Sequence, residues 1–223
     1  MAITINGSGT VTGVSVGGLP DGIVDTDMLA ANAVATAKIA DGAATGAKQA
    51  AGSIIQVVQS TTHGTNNYAS VDWQQTVIST AITPVRSDSK FLIEAVVHFG
   101  IGGQDCASSF NFADSLHASG ATHPIGPMST DGNNGASGQR LMSFFGFGSF
   151  AAASDVDNYY IGNLAAKYLY TPASDNANQR TFVVIVRSAE GLNVRLNMNA
   201  HYNAANPRDM RPTSSITVSE VRA

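Results

Sequence analysis

The chain is short of the residues that most chemistry requires. Its one cysteine, Cys106, rules out a disulfide within the chain and fits assembly in a reducing compartment. Charged residues make up 13% of the sequence, and the formal charge of −4 contains no basic cluster. The electrostatic footprint that nucleic acid or an anionic membrane surface demands is therefore missing. No apolar run approaches the ~20 residues that span a bilayer as a helix. Met1-Ala-Ile-Thr-Ile-Asn6 also lacks the basic start and continuous apolar stretch of a secretory signal. The expectation is a protein with no nucleic-acid partner and no membrane insertion.

Catalytic signatures are equally scarce. Of three glutamates, Glu94 and Glu220 sit in strand-like segments and Glu190 in the turn Ala189-Glu190-Gly191. Asp155 and Asp157 lie two apart in a polar stretch, where carboxylates read as solvated turn residues rather than as a glycosidase acid and base. Nucleophile elbow, phosphate loop, dinucleotide fingerprint and H-E-x-x-H are all missing. Gln104-Asp105-Cys106 has no protease context, and His63, His98, His117, His123 and His201 lack zinc-ligand spacing. Asp131-Gly-Asn-Asn-Gly135 opens like a calcium loop but lacks the glycine at its sixth position and the bidentate Glu at its twelfth. No catalytic residue, metal or cofactor is assigned, and an enzyme is not expected.

What the chain does have is apolar and small residues: 43% hydrophobic, with 22 glycines. This composition suits one sizeable all-β domain with a small extension. Residues 3–18 alternate β-branched and small residues around Gly7, Gly9 and Gly13, which predicts short strands with tight turns. A ten-residue repeat follows over 19–53, aligning Leu19-Pro-Asp-Gly, Leu29-Ala-Ala-Asn, Ile39-Ala-Asp-Gly and Gln49-Ala-Ala-Gly.

A continuous helix is a poor fit to that repeat. Ten residues advance roughly 1000°, about 80° short of three turns, so Leu19, Leu29 and Ile39 would not share a face. Gly22, Asn32, Gly42 and Gly52 suit turns or caps that need positive φ. Each decad reads as one unit, a short helical turn followed by a strand. Burying its single large side chain yields about 1.5–3 kcal/mol, against about 1–2 kcal/mol for each backbone residue ordered. One chain alone loses that balance. Three chains wound together could bury Leu19, Leu29 and Ile39 against their symmetry mates, so the repeat predicts an oligomeric stalk. The competing reading is a disordered linker.

From Ile54 onward the composition shifts to strand candidates at 54–60, 76–83, 90–100, 108–112, 141–150, 167–170, 181–188, 194–199 and 214–221. Phe91, Ile93, Ala95 and Val97 alternate with Leu92, Glu94, Val96 and His98, as in a sheet with one buried face. The pattern predicts a β-sandwich of jelly-roll type. Long polar loops at 116–139 and 201–212 are candidate functional segments. Trp73, Tyr159, Tyr160 and Tyr202 lie near loops, where they could stack on sugars or anchor an interface; core or inter-subunit packing is the alternative.

These residues resemble bacteriophage tail-fibre proteins, especially those of cyanophages and other marine phages. The resemblance rests on the opening Ile5-Asn-Gly-Ser-Gly-Thr-Val-Thr-Gly-Val-Ser-Val-Gly-Gly-Leu-Pro-Asp-Gly22, on the decads with Lys38-Ile-Ala-Asp-Gly-Ala43, and on three body segments. These are Ser53-Ile-Ile-Gln-Val-Val-Gln-Ser60, Thr83-Pro-Val-Arg-Ser-Asp-Ser-Lys-Phe-Leu-Ile93 and Arg211-Pro-Thr-Ser-Ser-Ile-Thr-Val-Ser-Glu-Val221. The resemblance implies a homotrimer in the virion, assembled in the host cytoplasm. Residues 1–18 would anchor it to a tail or baseplate protein, 19–53 would form the stalk, and 54–223 would bind a glycan or protein of the host surface. Trp73, Tyr202 and His123 are then the candidate host contacts. Gln49 departs from the Leu/Ile pattern, so continuity of the stalk into the body is open. A capsid decoration or head-fibre protein and a tailspike-like polysaccharide depolymerase are the rival expectations.

Overall fold

Where β-branched residues alternate with glycine near the start, two strands form. β1 (Thr4–Ile5) and β2 (Val11–Thr12) pair antiparallel, Thr4 opposite Thr12 and Ile5 opposite Val11. The computed structural model describes residues 4–5, 11–12, 49–101, 107–128, 144–147, 161–173, 177–188, 193–199 and 211–223. The chain divides into one unit over 1–47 and a second over 48–223. Leu19, Leu29 and Ile39 lie outside the described residues, as do Cys106, Asp131, Asp155, Asp157, Tyr159, Tyr160, Glu190 and Tyr202.

The described part of the second unit contains only strands, turns and irregular backbone, with no helix. Its strands are β3 (Ile54–Thr62), β4 (Asn66–Tyr68), β5 (Gln74–Ile82), β6 (Lys90–Ile101), β7 (Ser108–Asp114) and β8 (Phe145–Phe147), followed by β9 (Gly162–Tyr170), β10 (Arg180–Ser188), β11 (Val194–Leu196) and β12 (Ser214–Val221). They build a small sheet in the order β5-β10-β7-β8, and a large sheet in the order β3-β12-β6-β11-β4 with β9 also on β6. Every pairing is antiparallel. Phe99 is registered with both Gly162 and Leu196, so β9 and β11 lie on opposite edges of β6. β12 and then β11 therefore occupy one edge of β6 in succession, and β9 runs along the other.

The strands sit close to the sequence expectation because the alternation decides which side chains leave water. Phe91, Ile93, Ala95 and Val97 are all buried, whereas Leu92, Glu94, Val96 and His98 are not. They face Phe110, Phe112, Phe182, Val184 and Val186 of the small sheet in one apolar cluster. Phe91 meets Phe182 at 5.1 Å between ring centroids, and Phe99 meets Phe110 at 6.0 Å. Two antiparallel sheets thus close on one core, in a β-sandwich.

Three differences from the expected strands have physical causes. β9 starts at Gly162 rather than Lys167 because nine register pairs with β6 override the weak strand propensity of Gly, Asn and Ala. Glycine is required there, since an added Cβ would lie 2.7 Å from Cζ of Phe99. The strand expected over 194–199 stops at Leu196, where Asn197 takes φ 54° and turns the chain. β4 is built from Asn66, Asn67 and Tyr68, two of them asparagines that disfavour strands, and it exists through pairing with β11. Of the segment expected at 141–150, the described strand is β8.

Candidate binding surface

Both sheets have an outward face, and side-chain chemistry treats the two differently. On the large sheet, strand register lines up Gln59, Thr217, Glu94 and Lys167 in one row across β3, β12, β6 and β9. Strands lie about 4.8 Å apart, so this row runs about 14 Å. Gln59 Nε2 donates to Thr217 Oγ1 at 2.9 Å, and Lys167 Nζ stands 3.0 Å from Glu94 Oε1. One flanking row holds Val57, Ser219, Leu92 and Leu169; the other holds Thr61, Ser215, Val96 and Ala165. Val57 is 55% exposed and Leu169 49%. The small side chains leave a shallow trough of about 440 Å³ over the polar row. Because its carboxylate and ammonium neutralise each other, the trough offers hydrogen bonds and aliphatic surface without net charge.

The face of the small sheet is covered over β7 and β10. Ala113, Val183 and Ile185 are buried there, and Trp73 packs on them with the Arg187 guanidinium 4.9 Å from its ring centroid. Burial lowers the Arg187 pKa from its ordinary value. Trp73 thus serves this face as a half-buried lid with a cation–π partner.

A loop leaving β7 completes the cover. It begins where Ser115 exchanges hydrogen bonds with Thr181, N–H to carbonyl at 3.0 Å and Thr181 N–H to Ser115 Oγ at 2.8 Å. It then reaches across β10 to β5, where Gln75 Nε2 donates to the Ala121 carbonyl at 3.0 Å. Its return is fixed by Ile125 N–H to the Phe112 carbonyl at 2.9 Å, and by Asn111 Oδ1, which accepts Gly126 N–H at 2.8 Å. His123 sits in this loop with its ring stacked on His117, centroids 4.3 Å apart and planes 9° apart. Burial, and then the nearby His117, hold the His123 pKa below its ordinary value.

Buried charges hold these surfaces in place. Arg180 Nη1 and Asp114 Oδ2 pair at 2.6 Å, each side chain 1% exposed, and Arg180 lies 5.1 Å from the Phe91 ring centroid. Tyr170 beside them is pushed up to about 12 by burial and then by the Asp114 charge. Glu220 accepts hydrogen bonds from Gln56, Ser89 and the backbone N–H groups of Val85 and Arg86. Burial alone would raise its pKa, but those donors together lower it. Asn197 donates to the Thr62 and Gly64 carbonyls and accepts from Ser214, tying β3 to the turn after β11.

Of the candidate host contacts, Trp73 and His123 both belong to the cover of the small sheet, and Tyr202 lies outside the described residues. The trough residues Gln59, Lys167 and Thr217 were not singled out from sequence; Glu94 in the outward alternation of β6 was the available signal. Among the described residues, no cluster of three or more His, Cys, Asp or Glu could hold a metal ion. No described helix is long and apolar enough to cross a membrane. No protein-family model matches the chain, and no curated protein matches it in sequence.

Proposed function

We propose that this chain is a structural and host-binding protein of a bacteriophage virion, a trimeric tail fibre without catalytic activity. Residues 1–18 anchor it to the tail or baseplate, 19–53 form an intertwined Gly/Ala-rich stalk, and the jelly-roll-like β body contacts the host surface. The observation that carries this reading is the decad repeat, which places one large apolar side chain among small residues and so needs partner chains to become rigid. The body supports it mechanically. At its entry Gly52 N–H donates to the Arg222 carbonyl at 2.8 Å and Arg222 N–H to the Ser53 carbonyl at 2.9 Å. β3 then pairs along β12 from Thr62–Ser214 to Ile54–Val221, so a pull on the chain before β3 spreads over a whole strand ladder.

The trough on the large sheet, without net charge, suits weak contact with a neutral, hydroxyl-rich surface such as glycan. Several such sites on one rigid trimer gain about 10²–10⁴ in overall binding when they engage together. The trough contains one carboxylate, Glu94, whereas glycoside hydrolysis uses two, which favours binding over cleavage.

The test is the solution mass of the full chain by light scattering, beside Leu29→Asp and Ile39→Asp variants. The fibre reading expects three times the 23.0 kDa chain mass, and a monomer with an intact β spectrum once either charge is buried at the stalk axis. A wild-type monomer, or a trimer indifferent to both substitutions, defeats the stalk.

A further inference from the structure

The loop over the small sheet contains a pair of imidazoles that lie away from the trough on the large sheet. His117 and His123 lie face to face, joined by successive turns in which His117 N–H donates to the Asp114 carbonyl, Gly120 N–H to the His117 carbonyl and His123 N–H to the Gly120 carbonyl. Gly120 has φ +103°, a conformation that only glycine enters at low cost. His117 Nδ1 accepts the Ser119 N–H at 3.1 Å. An imidazole accepting at Nδ1 has no proton there, so this geometry belongs to the neutral ring. Protonation puts N–H against N–H at Ser119, and a second protonation puts two cations on parallel rings.

Among the described residues that contact the loop, none compensates those charges. Residues 115–126 contain no other ionisable side chain. From β7 and β10 the charged neighbours are Asp114 and Arg180, which already pair with each other, and Arg187, a further cation held over Trp73, while Asp114 Oδ1 also accepts Leu116 N–H at 3.0 Å. From β5 the contact is the neutral Gln75. The anchors at Ser115 and Gly126 contain no titratable group, so the sensitive stretch is 116–124 alone.

We propose that residues 116–124 form a pH-sensitive clasp, held across the small sheet by the neutral His117–His123 stack and released when the pair takes up protons. Release lifts the chain from Gln75 and uncovers apolar surface at Val183 and Ile185, while the anchors at either end keep the loop attached. The sign follows from linkage. His123 binds its proton less readily in the folded state, so its stabilising effect is complete above the ordinary histidine value of 6.5 and is lost as pH falls below it. The inference concerns this loop whether or not the chain is a fibre protein, and the two readings fail independently.

The experiment is an NMR titration of the full chain, following the imidazole resonances and the hydrogen exchange of Ser119 and Gly120 from about pH 7.5 to about pH 5.5. The expected result is a depressed titration of His123, with Ser119 exchange rising about tenfold beyond its intrinsic pH dependence as the ring takes up its proton. In His117→Asn the side-chain Oδ1, bonded to Cγ as Nδ1 is, accepts Ser119 N–H at any pH, and protection persists in acid. A His123 titration that is not depressed, or unchanged Ser119 protection as His123 titrates in the wild-type chain, overturns the proposal.

Discussion

The two outward sheet faces start from the same strand grammar and end in opposite environments. β9 alternates exposed and half-buried residues between its buried ends, whereas β7 is buried at every position and β10 nearly so. The outward residues of β6 and β9 meet a shallow trough; those of β7 and β10 meet Trp73 and the 115–126 loop. Alternation therefore says which residues share a face, and only the connections say whether that face is wet. The covered face is stabilised by burial, while the open face remains available for contact.

The largest expected break in this comparison comes from truncating one outward aliphatic side chain on each face. Ile185→Ala, on the covered face, should cost about 2–5 kcal/mol in denaturant unfolding, because it removes transfer energy and leaves a cavity. Val57→Ala, on the open face, should stay within about 0.5 kcal/mol, as surface substitutions do. Equal losses would mean that both faces are covered in solution.

A smaller effect sharpens the role of the loop anchor. Asn111 is fully buried, and its Oδ1 accepts both Phe112 and Gly126 N–H. Asn111→Ala should cost about 1–3 kcal/mol by leaving the Gly126 donor without its acceptor, and hydrogen exchange should rise at Gly126 and Ile125 while β6 stays protected. Uniform loss of protection across both sheets would instead make Asn111 part of the global core.

The smallest effect belongs to the open face. Lys167 and Glu94 pair with side chains 63% and 43% exposed, so Lys167→Ala should change stability by less than about 1 kcal/mol. It should nevertheless leave the trough with the unpaired Glu94 charge, weakening retention on a neutral glycan array relative to wild type. Unaltered retention of a protein that binds such arrays would move the contact away from the trough.

Much of the body was legible before folding because burial and strand period leave a direct mark on the sequence. Phe91 to His98 identify β6 and its buried side, and Ser214–Val221 form a strand with the expected bounds. The candidate surface was much less visible. Gln59, Thr217, Glu94 and Lys167 are distant in sequence and become neighbours only through register, which no local pattern records. Trp73 and His123 were noticeable as an aromatic and a histidine near loops. Their shared position over the small sheet depends on a loop that crosses β10, and sequence spacing does not encode that crossing.

By itself the sequence determined an antiparallel all-β body, the inward face of β6, and a decad repeat with one large apolar side chain in most of its units. These follow from local properties: side-chain period, turn residues and the balance of burial against backbone entropy. Tertiary structure decided that β9 extends to Gly162, that Asp114 and Arg180 share one buried pair, that one sheet face is covered and the other open, and that His117 lies against His123. Those outcomes depend on contacts between segments far apart in the chain, where pairing and packing energies outweigh local propensity.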